Sequence, residues 1–357
     1  MSKLKYLAVV MSGVLLTACG GGGGGGGASS TVVSNTPPVT APSTPSTPAT
    51  PTPSPSDGNI VVSVPPPTYA AGSGNLQVFN AINDLRSKIG SGLLAQNALL
   101  DKSADAHWKY IDQNGVLELH QETAGKPGYT GVRAGDRIAA GGYTATVSAE
   151  AIFSTTGADK YSTCVAEWAN SVYHAALLFA STIDIGVATG NVNAGASTLC
   201  VVDLATSNTQ AAQLPGAGSV RVYPYANQTG VPYVFFNRTE TPTPAPDLAE
   251  LGTPVTVSFE TKGLATSVPL AISQFALTAA SGAAVESRIL VNKAGKLGPA
   301  ISTNGPALTD DSQMQGFAAT LIPVKRLNPG TVYTVSLIAV VDGKAINKTW
   351  SFTTAAQ

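Results

Sequence analysis

Ser171 and His174 stand three residues apart in a segment with helical spacing, so their side chains could touch. A serine beside a histidine is the beginning of a nucleophile and general-base pair. In hydrolases such a pair is accompanied by a strained Gly-x-Ser-x-Gly turn and by an acid that orients the histidine, and the sequence offers neither near this position. The sequence therefore predicts no serine nucleophile here.

Cys19 is the first of three cysteines and ends the tetrad Leu-Thr-Ala-Cys. The tetrad follows two lysines and an apolar run that is too short to span a bilayer, a pattern typical of a signal peptide. The tetrad resembles the lipobox of bacterial lipoproteins, which implies cleavage before Cys19 and a lipid anchor on its sulfur. Gly20, at the next position, implies sorting to the outer membrane of a two-membrane bacterium. We therefore expect a lipid-anchored protein of the cell envelope.

Cys164 and Cys200 are the other two cysteines. An exported protein folds in an oxidising compartment, where two such cysteines favour a disulfide. We therefore predict a Cys164–Cys200 bond that ties a helix to a late strand and stabilises the fold by roughly 3–4 kcal/mol in the chain-entropy model.

Composition separates a tether from the folded part of the chain. Residues 20–27 are all glycine, and the following stretch to about residue 67 is rich in Ser, Thr and Pro, which predicts a flexible or extended segment. We expect a signal peptide at 1–18, a tether at 19–73, and folded domains at 74–210 and 218–357. Only 11% of all residues are charged and the net charge is -1, which excludes a basic surface for nucleic acid.

The first folded domain has helical periodicity in three segments, at about 74–90, 95–113 and 160–179. Short β-prone runs follow at 183–188 and 199–204, and a Gly-rich stretch that we expect to be irregular separates the second and third helices. Helices with a few strands, without alternating βαβ units, predict an α+β domain with α-β-α layers.

The order of short motifs across about residues 75–205 resembles the bacterial branch of the CAP superfamily of cysteine-rich secretory proteins, antigen 5 and pathogenesis-related proteins. The motifs are an alanine-rich helix at 103–107, Leu-His at 119–120, Arg followed by Gly-Tyr at 137–143, Ala-Glu-Ala-Ile at 149–152, Trp-x-x-Ser-x-x-His at 168–174 and Ile-Gly-Val-Ala at 185–188. Each motif is weak alone, but their shared order and spacing make the resemblance specific.

In this family the residues that match His120, Glu150 and His174 line one central cleft. The resemblance implies that the two imidazoles could hold Zn²⁺ or another divalent metal ion, with the carboxylate bonded to an imidazole or to a bound water. Many eukaryotic members have a second glutamate in the cleft at the position where this chain has Ser171. The resemblance therefore supplies two histidines and one glutamate here, without that second glutamate. His107, inside the second helix, is expected to pack or hydrogen-bond there.

The second folded domain shows short alternating runs with Pro and Gly turns, which predict a β-sandwich. Candidate strands lie at 254–259, 273–278, 286–291, 316–322, 331–340 and 346–352. Tyr333 and Trp350 stand in segments that resemble late strands of immunoglobulin-like or fibronectin-like modules, where such a tyrosine hydroxyl bonds backbone. We expect structural roles for both residues.

Three functions are consistent with these features. The first is a surface-anchored binding module whose His/Glu cleft holds an apolar or envelope-derived ligand. The second is a metal-assisted hydrolase in which Glu150 is the general base for a water held by His120 and His174. The third is a non-catalytic adhesion or cell-wall interaction protein. Catalytic metals usually have three protein ligands, which favours the first over the second. The sequence does not determine the oligomeric state.

Overall fold

The computed structural model describes residues 58–115, 120–156, 161–216, 218–248, 250–259, 269–293 and 306–357. The signal peptide, the lipidation site Cys19 and most of the tether lie outside the described residues and stay predictions. All described residues fall in one compact unit.

The first part of the chain contains five helices and four strands among the described residues. They are α1 Gly74–Ile89, β1 Ala95–Gln96, α2 Ala98–Asn114, α3 Ala134–Gly141, β2 Ala145–Thr156, α4 Tyr161–Ala169, α5 Tyr173–Leu178, β3 Asp184–Val192 and β4 Ser197–Ser207. The strands form one sheet in the order β1-β3-β4-β2, in which β1 is parallel to β3 and the other pairs are antiparallel.

Two helical layers cover the two faces of this sheet. Side chains of α1, α4 and α5 pack on one face against Ala151, Val187 and Val202. Side chains of α2 and α3 pack on the other face, where Ile152 lies. Strand residues alternate between faces, so Glu150 lies on the α2 and α3 side with Ile152. The predicted α-β-α layering is confirmed.

Gly186 marks the closest approach of helix and sheet. A Cβ atom at this position would overlap the backbone of Leu100 and Asp101 in α2. The glycine in the Ile-Gly-Val-Ala motif is therefore explained by packing, since only a residue without a side chain lets α2 lie directly on β3.

The prediction of one helix over 160–179 is wrong. The segment forms two helices, α4 and α5, with a break at Asn170–Val172. At the break the backbone N–H groups of Val172 and Tyr173 donate to the carboxylate of Glu240, about 70 residues further along the chain. The break between the two helices is therefore stabilised by a residue far away in the sequence, which helical periodicity cannot reveal. The Gly-rich stretch expected to be irregular also contains α3 and leads into β2.

Cys164 and Cys200 form the predicted disulfide, which joins α4 to β4. Both residues are fully buried.

The second part of the chain is built from strands. They are β5 Arg221–Tyr223, β6 Gln228–Val231, β7 Val255–Ser258, β8 Leu270–Ala279, β9 Ser287–Val291, β10 Leu308–Asp310, β11 Ala318–Pro323, β12 Val332–Val341 and β13 Lys344–Thr354. They form two sheets, β10-β9-β11-β7-β5 and β6-β13-β12-β8. The buried residues of both sheets make one core, as expected of a β-sandwich.

Tyr333 and Trp350 have the structural roles expected of them. Both side chains are buried in the sandwich core. The Tyr333 hydroxyl accepts a hydrogen bond from the backbone N–H of Asn328 at 2.8 Å, and Trp350 Nε1 donates to the carbonyl of Pro224 at 2.9 Å. The resemblance of this sandwich to an immunoglobulin-like module stays a prediction.

The two parts of the chain share a buried contact. Val172, which precedes α5, and Ala176 within it pack in one apolar cluster with Phe235, Leu290 and Phe317 of the strand-rich part. The Tyr173 hydroxyl donates to Asp311 Oδ2 at 2.8 Å at the same contact. The helix that carries His174 therefore packs against the strand-rich part of the chain as well as against its own sheet. The division into domains at 74–210 and 218–357 stays a prediction.

Candidate ligand-binding cleft

The structure brings the predicted cleft residues together around the ring of His120. His120 Nδ1 lies 3.0 Å from Glu150 Oε1. The rings of His120 and His174 stack with centroids 6.0 Å apart and planes 28° from parallel. The His120 and His174 side chains are 28% and 16% exposed, whereas that of Glu150 is only 2% exposed. The two imidazoles are thus the accessible members of the group, and the carboxylate lies behind them.

Glu150 is held as a carboxylate by a buried arginine. Arg137 Nη2 lies 2.5 Å from Glu150 Oε2, and the Arg137 side chain is fully buried. Burial by itself would raise the pKa of Glu150, but the charge of Arg137, helped by His107 and His120, lowers it to about 2. A carboxylate with so low a pKa is a weak proton acceptor, which argues against the general-base role that the hydrolase alternative would give Glu150.

His107 and Glu122 form a second buried pair beneath the cleft. His107 Nδ1 lies 2.8 Å from Glu122 Oε1, and both side chains are fully buried. Burial opposes the charge of Glu122, but bonds from His107 and from the backbone N–H groups of Thr130 and Gly131 lower its pKa. His107 therefore packs and hydrogen-bonds inside the fold, as expected. Glu122 was not predicted, although it lies only two residues after His120.

Glu240 is the second carboxylate of the cleft, and the sequence did not predict it. Its Oε1 atom lies 3.0 Å from His174 Nδ1, and its side chain is 1% exposed. The expectation that no acid lies near His174 is therefore wrong. The acid comes from the loop between β6 and β7, and no local spacing links that loop to α5.

The arrangement around His174 still does not form a catalytic triad. The Ser171 hydroxyl donates to the carbonyl of Trp168 at 2.9 Å and lies 3.4 Å from His174 Nδ1. This is the same nitrogen that contacts Glu240, whereas a triad uses one ring nitrogen for the serine and the other for the acid. The prediction of no serine nucleophile thus has a geometric reason. Trp168 lies in the core, 1% exposed, and not in the cleft.

Comparisons with known proteins identify the family of the first folded part of the chain. A family model described as the cysteine-rich secretory protein family, CAP, matches residues 79–204. These residues form a CAP domain. A solved structure similar to the chain is an outer surface protein from Borrelia burgdorferi, with 19% sequence identity and a TM-score of 0.32 over 39% of this chain and 97% of that one. The comparison with curated proteins found no match.

The CAP domain does not offer a complete metal site in the part of the chain that the structure describes. Within those residues no three His, Cys, Asp or Glu side chains are grouped so that they could hold a metal ion. His120 and His174 supply two imidazoles, which is fewer than the three protein ligands usual at catalytic zinc. Also among the described residues, no helix has the length and apolar character needed to cross a bilayer.

Asp203 is a further buried carboxyl group of the CAP domain. It lies directly across from Glu150 in the antiparallel β2–β4 pair and is 1% exposed. Burial, together with the negative charge of Glu150, raises the pKa of Asp203 well above its usual value. Of these two facing carboxyl groups, Glu150 therefore has a lowered pKa and Asp203 a raised one.

Asp203→Asn is expected to stabilise the protein increasingly as the pH rises. A raised carboxyl pKa contributes stability at low pH that is lost as the pH rises towards the folded-state pKa, by up to about 1.4 kcal/mol per pH unit. Asparagine cannot ionise, so the variant should not suffer this loss. Urea unfolding from about pH 4.5 upwards measures the effect, in a range where Glu150 stays ionised. Asp112→Asn, at an exposed position on α2, is the control. An Asp203→Asn effect that does not change with pH would show that Asp203 is ionised in the folded protein.

Proposed function

We propose that the protein is a surface-anchored binding module whose CAP domain binds an envelope-derived ligand at His120 and His174. The observation that carries this proposal is the stacked pair of partly exposed imidazoles, each bonded through Nδ1 to a buried carboxylate. The carboxylates hold both rings in place, so the Nε2 atom of each imidazole has a fixed position above a group of buried charged side chains.

The bonds at Nδ1 indicate what the imidazoles can recognise. An ionised carboxylate accepts hydrogen bonds only, so a neutral imidazole beside it carries its proton on Nδ1. Nε2 then has a lone pair available to accept a hydrogen bond. Two acceptors side by side fit a ligand that carries hydroxyl or N–H groups, which are common in envelope components. We therefore propose that the polar part of the ligand lies against the two Nε2 atoms.

The proposed location rests on the leader and on the family. The lipobox-like tetrad ending at Cys19 supports a lipid anchor, and Gly20 supports the outer membrane. The family takes its description from secreted proteins, which supports an extracellular or surface location. The Gly-rich and Pro-rich tether would hold the CAP domain away from the membrane surface.

Mass spectrometry of the purified lipidated protein tests ligand binding. We expect a compound extracted from the full-length protein to be at least about tenfold depleted in a His120→Ala/His174→Ala variant, because two hydrogen bonds of about 1 kcal/mol each are removed. Lys88→Ala, at an exposed pair on α1, is the control and should retain the compound. Equal retention by the histidine variant, or no compound with either protein, contradicts the proposal and favours an adhesion role.

A divalent cation is the second candidate ligand. A histidine that binds a metal through one nitrogen commonly donates its other N–H to a carboxylate, as His120 and His174 are placed to do with Glu150 and Glu240. With only two imidazoles we expect weak Zn²⁺ binding in calorimetry, lost in His174→Ala. Binding that survives this substitution would place the ion elsewhere.

A further inference from the structure

Glu240 lies outside the residues that match the CAP family, yet it contacts a histidine of the CAP cleft. The family match ends at residue 204, and Glu240 follows the short 3₁₀ helix Asn237–Thr239 in the strand-rich part of the chain. Inside the CAP domain, the position three residues after Trp168 is Ser171, whose side chain bonds backbone. The carboxylate beside His174 is therefore supplied by a different part of the chain.

The loop that carries Glu240 is firmly packed. The Asn237 side chain is buried and donates to the carbonyls of Ala245 and Leu248, while Asn237 Oδ1 accepts from the Ala245 N–H at 3.3 Å. Phe235 and Leu251 pair through their backbones at the base of the same loop. These contacts give the loop, and with it Glu240, a defined position beside α5.

Glu240 also receives backbone hydrogen bonds at the start of α5. Its Oε2 accepts from the Val172 N–H at 2.7 Å, and its Oε1 accepts from the N–H groups of Tyr173 at 2.7 Å and His174 at 3.1 Å. With three N–H donors directed at them, both carboxylate oxygens of Glu240 act as hydrogen-bond acceptors. The contact at 3.0 Å between His174 Nδ1 and Oε1 then requires the proton to be on the imidazole nitrogen.

We propose that Glu240 is the positioning residue of His174, and that it makes the strand-rich part of the chain a component of the CAP cleft. Glu240 fixes the Nδ1–H tautomer and the ring orientation of His174, so that Nε2 is presented beside His120. Glu150 does the same for His120 from within the CAP domain. The two imidazoles of one cleft are therefore oriented by carboxylates from two separate parts of the chain.

The groups around His174 identify the interaction to be tested. Its ring contacts Glu240 and Ser171 and stacks on His120, which itself contacts Glu150. The neighbouring residue Tyr173 makes a separate bond from α5 to the strand-rich part, through Asp311. Asp311→Asn changes a carboxylate to an amide at the same contact between the two parts without touching the His174 ring, just as Glu240→Gln does beside that ring, so it provides a matched control.

Nitrogen NMR of the ¹⁵N-histidine-labelled, full-length protein without ligand tests the proposal at a pH where the imidazoles are neutral. The chain has three histidines, and single His→Ala variants assign their signals. We expect His174 to be the Nδ1–H tautomer in the unsubstituted protein and in Asp311→Asn. In Glu240→Gln we expect a shift towards the Nε2–H tautomer, because one amide oxygen cannot replace all of the acceptor positions of the carboxylate.

An Nε2–H tautomer of His174 in the unsubstituted protein overturns the proposal without any variant. An unchanged tautomer in a folded Glu240→Gln protein also overturns it. Circular dichroism verifies the fold, and a purely structural role would lower the melting temperature without moving the tautomer.

The consequence for ligand binding rests on the proposed function and is measured separately. If the cleft binds as proposed, Glu240→Gln should retain several-fold less of the extracted compound than Asp311→Asn. Equal retention together with a changed tautomer would overturn the role of Glu240 in the ligand site. If no protein retains a compound, the proposed function fails, whereas the tautomer result still decides whether Glu240 positions His174.

Discussion

Arg137→Leu is expected to lower the free energy of unfolding by about 3–5 kcal/mol, because it leaves buried carboxylates without their cation. Arg137 Nη2 contacts Glu150 at 2.5 Å, its Nε lies 3.9 Å from Glu122, and none of the three side chains is more than 2% exposed. Its Nη1 also donates to the carbonyl of His120 at 3.3 Å. Loss of the guanidinium therefore removes the positive charge that balances the two glutamates, and it removes the hydrogen bond to the backbone of His120.

Urea unfolding of the full-length protein measures this effect, with Arg326→Leu as the matched control. Arg326 pairs with Glu250 at 2.6 Å, but both side chains are almost half exposed, and exposed ion pairs contribute little. A second substitution, Glu150→Gln in the Arg137→Leu protein, should recover part of the loss because it removes the uncompensated charge. If Arg137→Leu destabilises the protein no more than Arg326→Leu does, then Arg137, Glu150 and Glu122 do not form the buried group of charged side chains described above.

Replacing both Cys164 and Cys200 with serine is expected to cost about 3–4 kcal/mol of unfolding free energy, because an unfolded chain without the bond gains conformational freedom. The bond closes a loop between residues 36 positions apart, and both cysteines are fully buried. That loop contains α5 and therefore His174. We expect the melting temperature to fall without a change in the folded-state circular dichroism at low temperature.

Reduction of the unsubstituted protein is the control for the serine variant. The reduced protein should unfold at nearly the same urea concentration as the double variant, since both lack the same covalent link. Two thiols that react with an alkylating agent in the unfolded, unreduced protein would contradict the disulfide itself.

Local patterns predicted much of the fold. The apolar spacing of α1 and α2 and the alternation along β12 repeat over many residues, and each repeat depends only on near neighbours in the sequence. These periodicities therefore needed no knowledge of distant contacts. Gly186 was recognisable only as part of a motif that resembles the CAP superfamily, because its packing reason, the close approach of the α2 backbone at Leu100 and Asp101, appears only in the folded structure.

Part of the candidate site was also accessible to sequence reasoning. His120, Glu150 and His174 each lie in a short motif, and the resemblance of the ordered motifs to the CAP superfamily implied that the three residues line one cleft. Arg137 stood in one of these motifs without a role, and its position beneath Glu150 became visible only when β2 and α3 were placed side by side. Glu122 lay outside the motifs, so nothing in the sequence distinguished it from any surface glutamate.

Glu240 illustrates the difference between what the sequence predicts and what only the folded structure shows. The sequence by itself predicted the layered fold, the two cysteines available for a disulfide and the leader, because each of these depends on local spacing or composition. The residues of the cleft followed from the resemblance of the ordered motifs to the CAP superfamily. The tertiary structure alone decided where α4 ends and α5 begins, which carboxylate meets His174 and which of two facing carboxyl groups has the raised pKa. Those outcomes depend on burial and on contacts between distant segments, and such contacts exist only after the chain has folded.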